Sequence, residues 1–219
     1  MFYTVTITGS ALGFGPTRLF GGLAFSLGLV LVIIGGAELF TGNSLIVLAF
    51  ASGRIHIQEL LRNWCIVYLG NFLGAVIMAL LVYYSGTLAM GDGSVGITAE
   101  LIATGKLAVP PLEAFLRGIL CNILVCLAVW MCFAAHSVSG RVLVIIFPIT
   151  AFVTLGFEHS VANMYLIPIG MLQSGHHEVA AFLTNLALVS AGNIVGGGFL
   201  VALVYWLAYL RTPKNTSVL

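Results

Sequence analysis

Five stretches of this sequence carry no charged residue: Leu19–Ala37, Trp64–Tyr84, Gly118–Ala135, Val142–Phe157 and Leu183–Leu210. A helix needs about 20 apolar residues to cross the hydrocarbon core of a bilayer, and each run approaches or exceeds that length. A water-soluble fold would have to bury these runs on every side, and the chain has little to cover them with. It has 8 Lys and Arg and 7 Asp and Glu in 219 residues, 7% charged, against about 25% in soluble proteins. The apolar surface must face lipid. In lipid every backbone N–H and C=O has to be paired within its own segment, which leaves the helix as the spanning element here. An all-α membrane protein is expected, with residues 1–219 as one domain. The net charge of +1 gives no support to a nucleic-acid or acidic partner.

The opening, Met1 to Gly15, is apolar but shorter than a span and has no signal-peptide pattern. It is expected to be the exit half of a helix whose first part is missing, a partial first span ahead of five full ones. Basic residues orient the bundle. Arg54 and Arg62 share one connection, Arg141 lies in another, and Arg211 and Lys214 follow the last span. Threading places these on one side, with Arg18, Lys106 and Arg117 on or near the other. The larger group marks its side as cytoplasmic. A multi-pass protein of the inner (plasma) membrane, with its C-terminus in the cytoplasm, is expected. Arg117 follows Glu113 by one helical turn, where the two can pair. The longest polar connection, Ser85 to about Pro110, reads as a solvated cap holding Asp92, Glu100 and Lys106. Cys65, Cys121, Cys126 and Cys132 sit inside apolar runs without a CxxC spacing, and read as buried free thiols.

The third and sixth spans share a pattern. One reads GNFLGA from Gly70 and the other GNIVGG from Gly192; each has GxxxG (Gly70/Gly74, Gly192/Gly196), and each Asn is followed 12 residues later by Tyr, at Tyr83 and Tyr205. Small residues one turn apart let helix backbones approach closely in lipid. Packing alone accounts for GxxxG; it does not account for the matched Asn and Tyr.

The second and fifth spans then become candidate partners, and each holds a carboxylate inside an apolar stretch: AELFTGN (Ala37–Asn43) and GFEHSVAN (Gly156–Asn163). Ionisable groups at membrane depth are costly and usually functional, and Glu38, Glu158 and His159 are the ones expected there. Both sites read as helix breaks, at about 39–43 through Gly42 with Asn43, and at 156–160 through Gly156. Paired broken helices in two repeats mark a substrate site near the midplane. The second halves, starting near Asn43 and Ser160, would turn free N–H groups and positive dipole ends toward that site, which favours an anion. Glu38 and Glu158 read equally as supports that accept hydrogen bonds from the freed backbone, and His159 as a core histidine. No second His follows at the HExxH spacing, and neither a metal cluster nor a nucleophile–base set appears.

AELFTGN, RNWCIVYLGN (Arg62–Asn71), GFEHSVANMYLIP (Gly156–Pro168) and GNIVGGG (Gly192–Gly198), in this order, resemble the formate/nitrite transporter family, and most strongly its formate-channel branch. The resemblance runs from about residue 2 to Arg211. It implies an aquaporin-like bundle of six spans, the first partial, with two broken helices in an inverted repeat. It also implies a single transmembrane channel domain, one pore per protomer and a homopentamer in the bilayer; without a metal cluster or a nucleophile–base set, no cofactor and no enzymatic activity are expected. By matched position, His159 would be the central pore histidine and Thr41 its partner on the opposite break. Lys106 would be the vestibule lysine, Asn122 the asparagine near the pore and Asn163 a polar residue of the second broken helix. Phe25, Leu29, Leu39, Phe40 and Phe152 would form the apolar constrictions. Family members also carry a cytoplasmic N-terminal helix and a complete first span, so gating attributed to that segment is not carried over.

Two apolar rings around a polar centre oppose a bare anion, whose Born cost in such a passage is many kcal/mol. A neutral acid crosses more easily. Proton transfer from an imidazolium (pKa about 6.5) to a carboxylic acid's anion (about 4) is uphill in water, and desolvation favours the neutral pair. Formate with a proton shared through His159 is therefore the leading expectation, with nitrite or hydrosulfide as family alternatives. An aquaporin-type channel for neutral solutes and a non-conducting membrane assembly fit part of the same pattern.

Overall fold

The computed structural model of the chain describes residues 1–7 and 11–211. Lys214, used above for orientation, lies outside the described residues. The order of elements is α1 (Phe2–Val5), α2 (Phe14–Gly35), a 3-10 turn (Gly42–Ile46) running into α3 (Val47–Ala51), α4 (Ile57–Tyr84), α5 (Ser94–Leu107), α6 (Pro111–Ala134), α7 (Val138–Leu155), α8 (Ser160–Ser174) and α9 (Val179–Ile194). The last helix continues to Leu210 with π-helical winding over Val195–Leu203 and Trp206–Leu210. Among the described residues, α2, α4, α6, α7 and the extended α9 are long and apolar enough to cross a membrane. The opening stretch contributes one turn, with Tyr3 buried against Tyr165 and Phe2 against Phe25.

The starts of several helices are set by their sequence. His56 precedes α4 with a capping box, its N–H donating to the Glu59 carboxylate (2.8 Å). Pro111 stands at the first position of α6, where a missing N–H costs nothing. The Ser137 hydroxyl caps α7 by accepting from Gly140 N–H (3.0 Å).

Packing fixes the directions. Arg18 meets Thr154 and Gly22 meets Thr150, so α2 and α7 run antiparallel. Gly118 faces Val189 while Gly192 and Gly196 face the Phe115 and Ile119 carbonyls, so α6 and α9 run the same way with their backbones touching. A Cβ at Gly192 or Gly196 would collide with those oxygens. Gly70 and Gly74 carry the same GxxxG spacing on α4 and have no such neighbour within 4 Å.

The connection after α4 is not a solvated cap. It contains α5, which lies antiparallel on α8 with Gly170 against Ala99 and Ala103, and Val95, Ala99 and Ala103 buried. Ala99 and Ala103, one turn apart, give α5 a side flat enough for Gly170 of α8 to sit against. It enters from the bundle's rim and carries Lys106 down to the level of Glu158. Of the four thiols, Cys121, Cys126 and Cys132 are buried, whereas Cys65 is exposed on α4.

Candidate functional site

Both broken spans stop in the same way. α2 ends at Gly36 (φ 72°) and α7 at Gly156 (φ 74°), left-handed conformations that a residue without a Cβ adopts at no steric cost. The first break therefore spans 36–41, earlier than the 39–43 expected, because Gly36 and not Gly42 with Asn43 ends the helix; Gly42 already belongs to the returning 3-10 turn. The second spans 156–159, and α8 begins at Ser160.

An asparagine clamps each break. Asn71 Nδ2 donates to the Glu38 carbonyl (3.0 Å) and its Oδ1 accepts from Phe40 N–H (2.9 Å). Asn193 Nδ2 donates to the Glu158 carbonyl (3.1 Å) and its Oδ1 accepts from Ser160 N–H (2.9 Å). In both repeats one side-chain amide pairs the carbonyl of the Glu and the N–H two residues on, as a neighbouring extended strand would. Asn193 also donates to Gly118 O (2.8 Å). The matched Asn of GNFLGA and GNIVGG was the sequence signal for this clamp; which backbone groups it would hold was not readable. The carboxylates of Glu38 and Glu158, expected to support the freed backbone, do something else. Glu38 accepts from Asn43 Nδ2 (2.6 Å), and Glu158 accepts from Lys106 Nζ (3.0 Å to each oxygen) and Asn163 Nδ2 (2.7 Å).

Across the two breaks, Thr41 Oγ1 meets His159 Nε2 at 2.8 Å. His159 is the N-cap of α8, its Nδ1 accepting from Ala162 N–H (3.0 Å). An Nδ1 that accepts leaves the ring proton on Nε2, so the network assigns the neutral Nε2–H tautomer, donating to Thr41. The imidazole stacks on Phe152 at 5.9 Å, and Phe152 meets Phe25 edge-on at 5.7 Å.

These rings form the floor of a cavity of about 370 Å³ at the end of the bundle where α2 begins, bounded by Arg18, Lys106, Arg117, Glu158 and His159 among others. A second cavity, of about 270 Å³, lies beyond Leu29 and Leu39 and reaches Asn43 and Leu48. Between them Leu29 and Phe152 belong to a buried apolar cluster with Val125, Ala128, Ile145 and Ile149. The arrangement is two vestibules separated by an apolar plug that carries one polar pair, His159 with Thr41.

Phe25, Phe152, Lys106 and His159 thus gather at the first cavity, and Leu29 and Leu39 at the second. Three expected pathway residues are not brought there. Phe40 is buried against Tyr68 and Trp64 of α4 and lines neither cavity, since the clamp on its N–H turns its side chain toward α4. Asn122 is fully buried, donating to the Thr41 and Asn193 carbonyls (3.1 and 2.6 Å). Asn163 is fully buried between Glu158 and Asn185. Both asparagines brace the breaks from behind. Conversely Arg18, expected at the membrane edge, reaches the break: its Nε donates to the Thr154 carbonyl (3.2 Å).

Fold and site together define a multi-pass membrane protein of the transporter and channel class. The chain belongs to the formate/nitrite transporter family: the family model of that description matches residues 1–207. The formate channel FocA of Escherichia coli (strain K12) is 41% identical over 231 residues, covering 96% of this chain and 81% of that protein. A probable formate transporter of Methanothermobacter thermautotrophicus is 40% identical over 211 residues, covering 90% and 77%. A solved structure described as a pentameric formate channel with formate bound superposes with a TM-score of 0.86 at 42% identity, covering 96% of this chain and 90% of that one.

Proposed function

We propose that this chain is a single transmembrane channel domain that moves formate, the anion of a small weak acid, across the inner membrane. The observation that carries the reading is the His159–Thr41 pair, set in an apolar plug between a cationic outer vestibule and an inner one. The named relatives and the formate-bound neighbour support the choice of anion. The plug offers a bare anion no compensating charge, so formate crosses with a proton as the neutral acid. His159 is placed to share that proton. For Nε2 to give its hydrogen to formate and leave a neutral ring, Nδ1 must take one up, and Nδ1 is engaged in capping α8. Transfer therefore requires the cap to open as the proton enters, which ties the proton step to a local movement at the second break.

A homopentamer is the proposed assembly. The fold neighbour is described as pentameric, and two features support a covered face: Gly70 and Gly74 of α4 are exposed with nothing against them, and the exposed Glu38 carboxylate belongs to a polar cluster with Asn43 and Asn63. A carboxylate at that depth is more stable against protein than against lipid. Arg54, Arg62, Arg141 and Arg211 share the end proposed as cytoplasmic, where the C-terminus emerges. The reading is tested with purified protein in liposomes, by formate-driven flux measured with and without a membrane potential at two pH values. Electroneutral formate uptake that rises as external pH falls is expected. Osmotic swelling with neutral solutes but no formate flux would replace it with an aquaporin-type function.

A further inference from the structure

We propose that Arg18, not Lys106, captures the incoming anion at the outer vestibule, and that its guanidinium selects planar anions with two oxygens. The inference rests on the anion-pathway reading above and adds a specificity-determining residue to it.

Three cations bound the vestibule, and two of them are matched. Lys106 Nζ lies 3.0 Å from both oxygens of Glu158, with side-chain exposures of only 16% and 5%. That pair is locally neutral, and Asn163 takes a further lone pair of the same carboxylate. Arg117 pairs with Glu113 at 2.6 Å one turn away. The described residues include all 7 Asp and Glu of the chain; none lies within ion-pair distance of Arg18, and Glu158, already paired with Lys106, acts on it only from longer range. The net positive charge of the vestibule therefore comes from Arg18. A charge beside low-dielectric walls concentrates anions at the mouth.

Arg18 is also held in place. Its Nε donates to Thr154 O, its carbonyl accepts from the Thr154 hydroxyl (3.4 Å), and Nη2 sits against Gly156, so closely that a Cβ there would lie 2.6 Å from it. Gly156 is the left-handed stop of α7, so the conformation that breaks the helix is also the one that makes room for the guanidinium. Phe25 follows Arg18 by seven residues on α2, about 10 Å further along the same face. An anion on Arg18 would thus wait two turns above the Phe25–Phe152 constriction. A guanidinium presents a planar fork of donors that matches a carboxylate or nitrite with two parallel bonds, and gives no such advantage to a one-centre anion such as hydrosulfide. Lys106 in this scheme is a positioning residue that holds the Glu158 carboxylate and the second break in place.

The test is a titration of purified protein at low ionic strength with 13C-formate, nitrite and hydrosulfide, read by ligand NMR line broadening and competition, alongside liposome flux. Arg18→Gln should weaken formate binding by about ten-fold or more. Arg18→Lys keeps the charge and should keep hydrosulfide binding within about two-fold while weakening formate and nitrite by about five-fold, the loss of the fork. Lys106→Gln should lower the melting temperature and change formate affinity by less than about three-fold. Gel filtration of Arg18→Lys guards against misfolding, since its volume and charge are conserved. Wild-type-like formate binding by Arg18→Gln, a larger loss in Lys106→Gln, or no formate binding by the wild type would overturn the capture role. Equal formate binding by Arg18→Lys and wild type would overturn the selection for planar anions. Arg18-dependent binding without any flux would instead remove the transport reading and leave the capture site standing.

Discussion

At the scale of single residues, the least replaceable side chains are the ones that hold unpaired backbone. Asn193 makes three side-chain hydrogen bonds, to Ser160 N, Glu158 O and Gly118 O, in a fully buried position. Asn71 makes two, beside a break that is partly exposed. Leaving a buried donor or acceptor unpaired costs about 1–3 kcal/mol, so Asn193→Ala is expected to destabilise by about 3 kcal/mol and Asn71→Ala by about half that. Thermal unfolding of the detergent-solubilised protein measures both, and the reverse ranking would count against the clamp. His159→Asn separates capping from proton handling. Asn is itself a good N-cap, so α8 should stay capped and the melting temperature nearly unchanged. The variant has no titrating ring, and the pH dependence of formate flux should flatten while its rate falls at least about ten-fold, the size usual for loss of a proton-transfer group. A wild-type pH profile would reduce His159 to a structural cap.

Elements are distinguished here by what lies against them. GxxxG occurs on α4 and on α9, yet Gly196 touches the Ile119 carbonyl and Gly74 touches nothing. Gly196→Ala has no flexible neighbour to displace, because the obstacle is backbone. It should separate α6 from α9, pull Asn193 away from Gly118, and cost several kcal/mol, as overpacking at a rigid contact does. Gly74→Ala should leave the protomer's stability unchanged within about 0.5 kcal/mol. If α4 is covered by a second protomer, the same change should weaken the oligomer, which native mass spectrometry in mild detergent resolves. A protomer equally destabilised by both substitutions would contradict the packing described.

For the whole molecule, the path of the chain makes the two repeats opposite in sense. α2 and α7 enter from opposite ends of the bundle, and each stops at a left-handed glycine, Gly36 and Gly156. Tyr83 and Tyr205, alike in sequence, end at opposite faces: one against Tyr84 near the α4–α5 connection, the other against Trp130 near the arginine-rich end. A C-terminal reporter fusion active only in the cytoplasm is expected to be active, and a fusion within the Met90–Ser94 turn inactive. The opposite pair of results would invert the orientation and place Arg18 at the inner mouth. A pentamer is the expected mass in mild detergent, and a stable monomer would leave the exposed Glu38 without an explanation.

The spans, the existence of both breaks and the family were legible in the sequence, because each rests on local order. Charge-free length decides whether a helix crosses lipid, a Glu within an apolar run marks an interruption, and the motifs sit at fixed spacing; which glycine stops the first helix, Gly36 rather than Gly42, was not legible. What the carboxylates and cations do was decided by the tertiary structure. Lys106, a solvated-loop lysine by its own surroundings and a vestibule lysine by resemblance, has no visible partner in the sequence until α5 folds back onto α8 and brings it to Glu158. Arg18 reads as a membrane-edge arginine until α2 lies antiparallel to α7 and its side chain reaches Thr154. Phe40 reads as a pore phenylalanine until Asn71 fixes its N–H and turns its ring toward α4. Pairings of this kind join residues separated by 31 to 136 positions. Local propensity contains no term for such distances, and only the packing of helix on helix sets which charge is neutralised and which is left to face an anion.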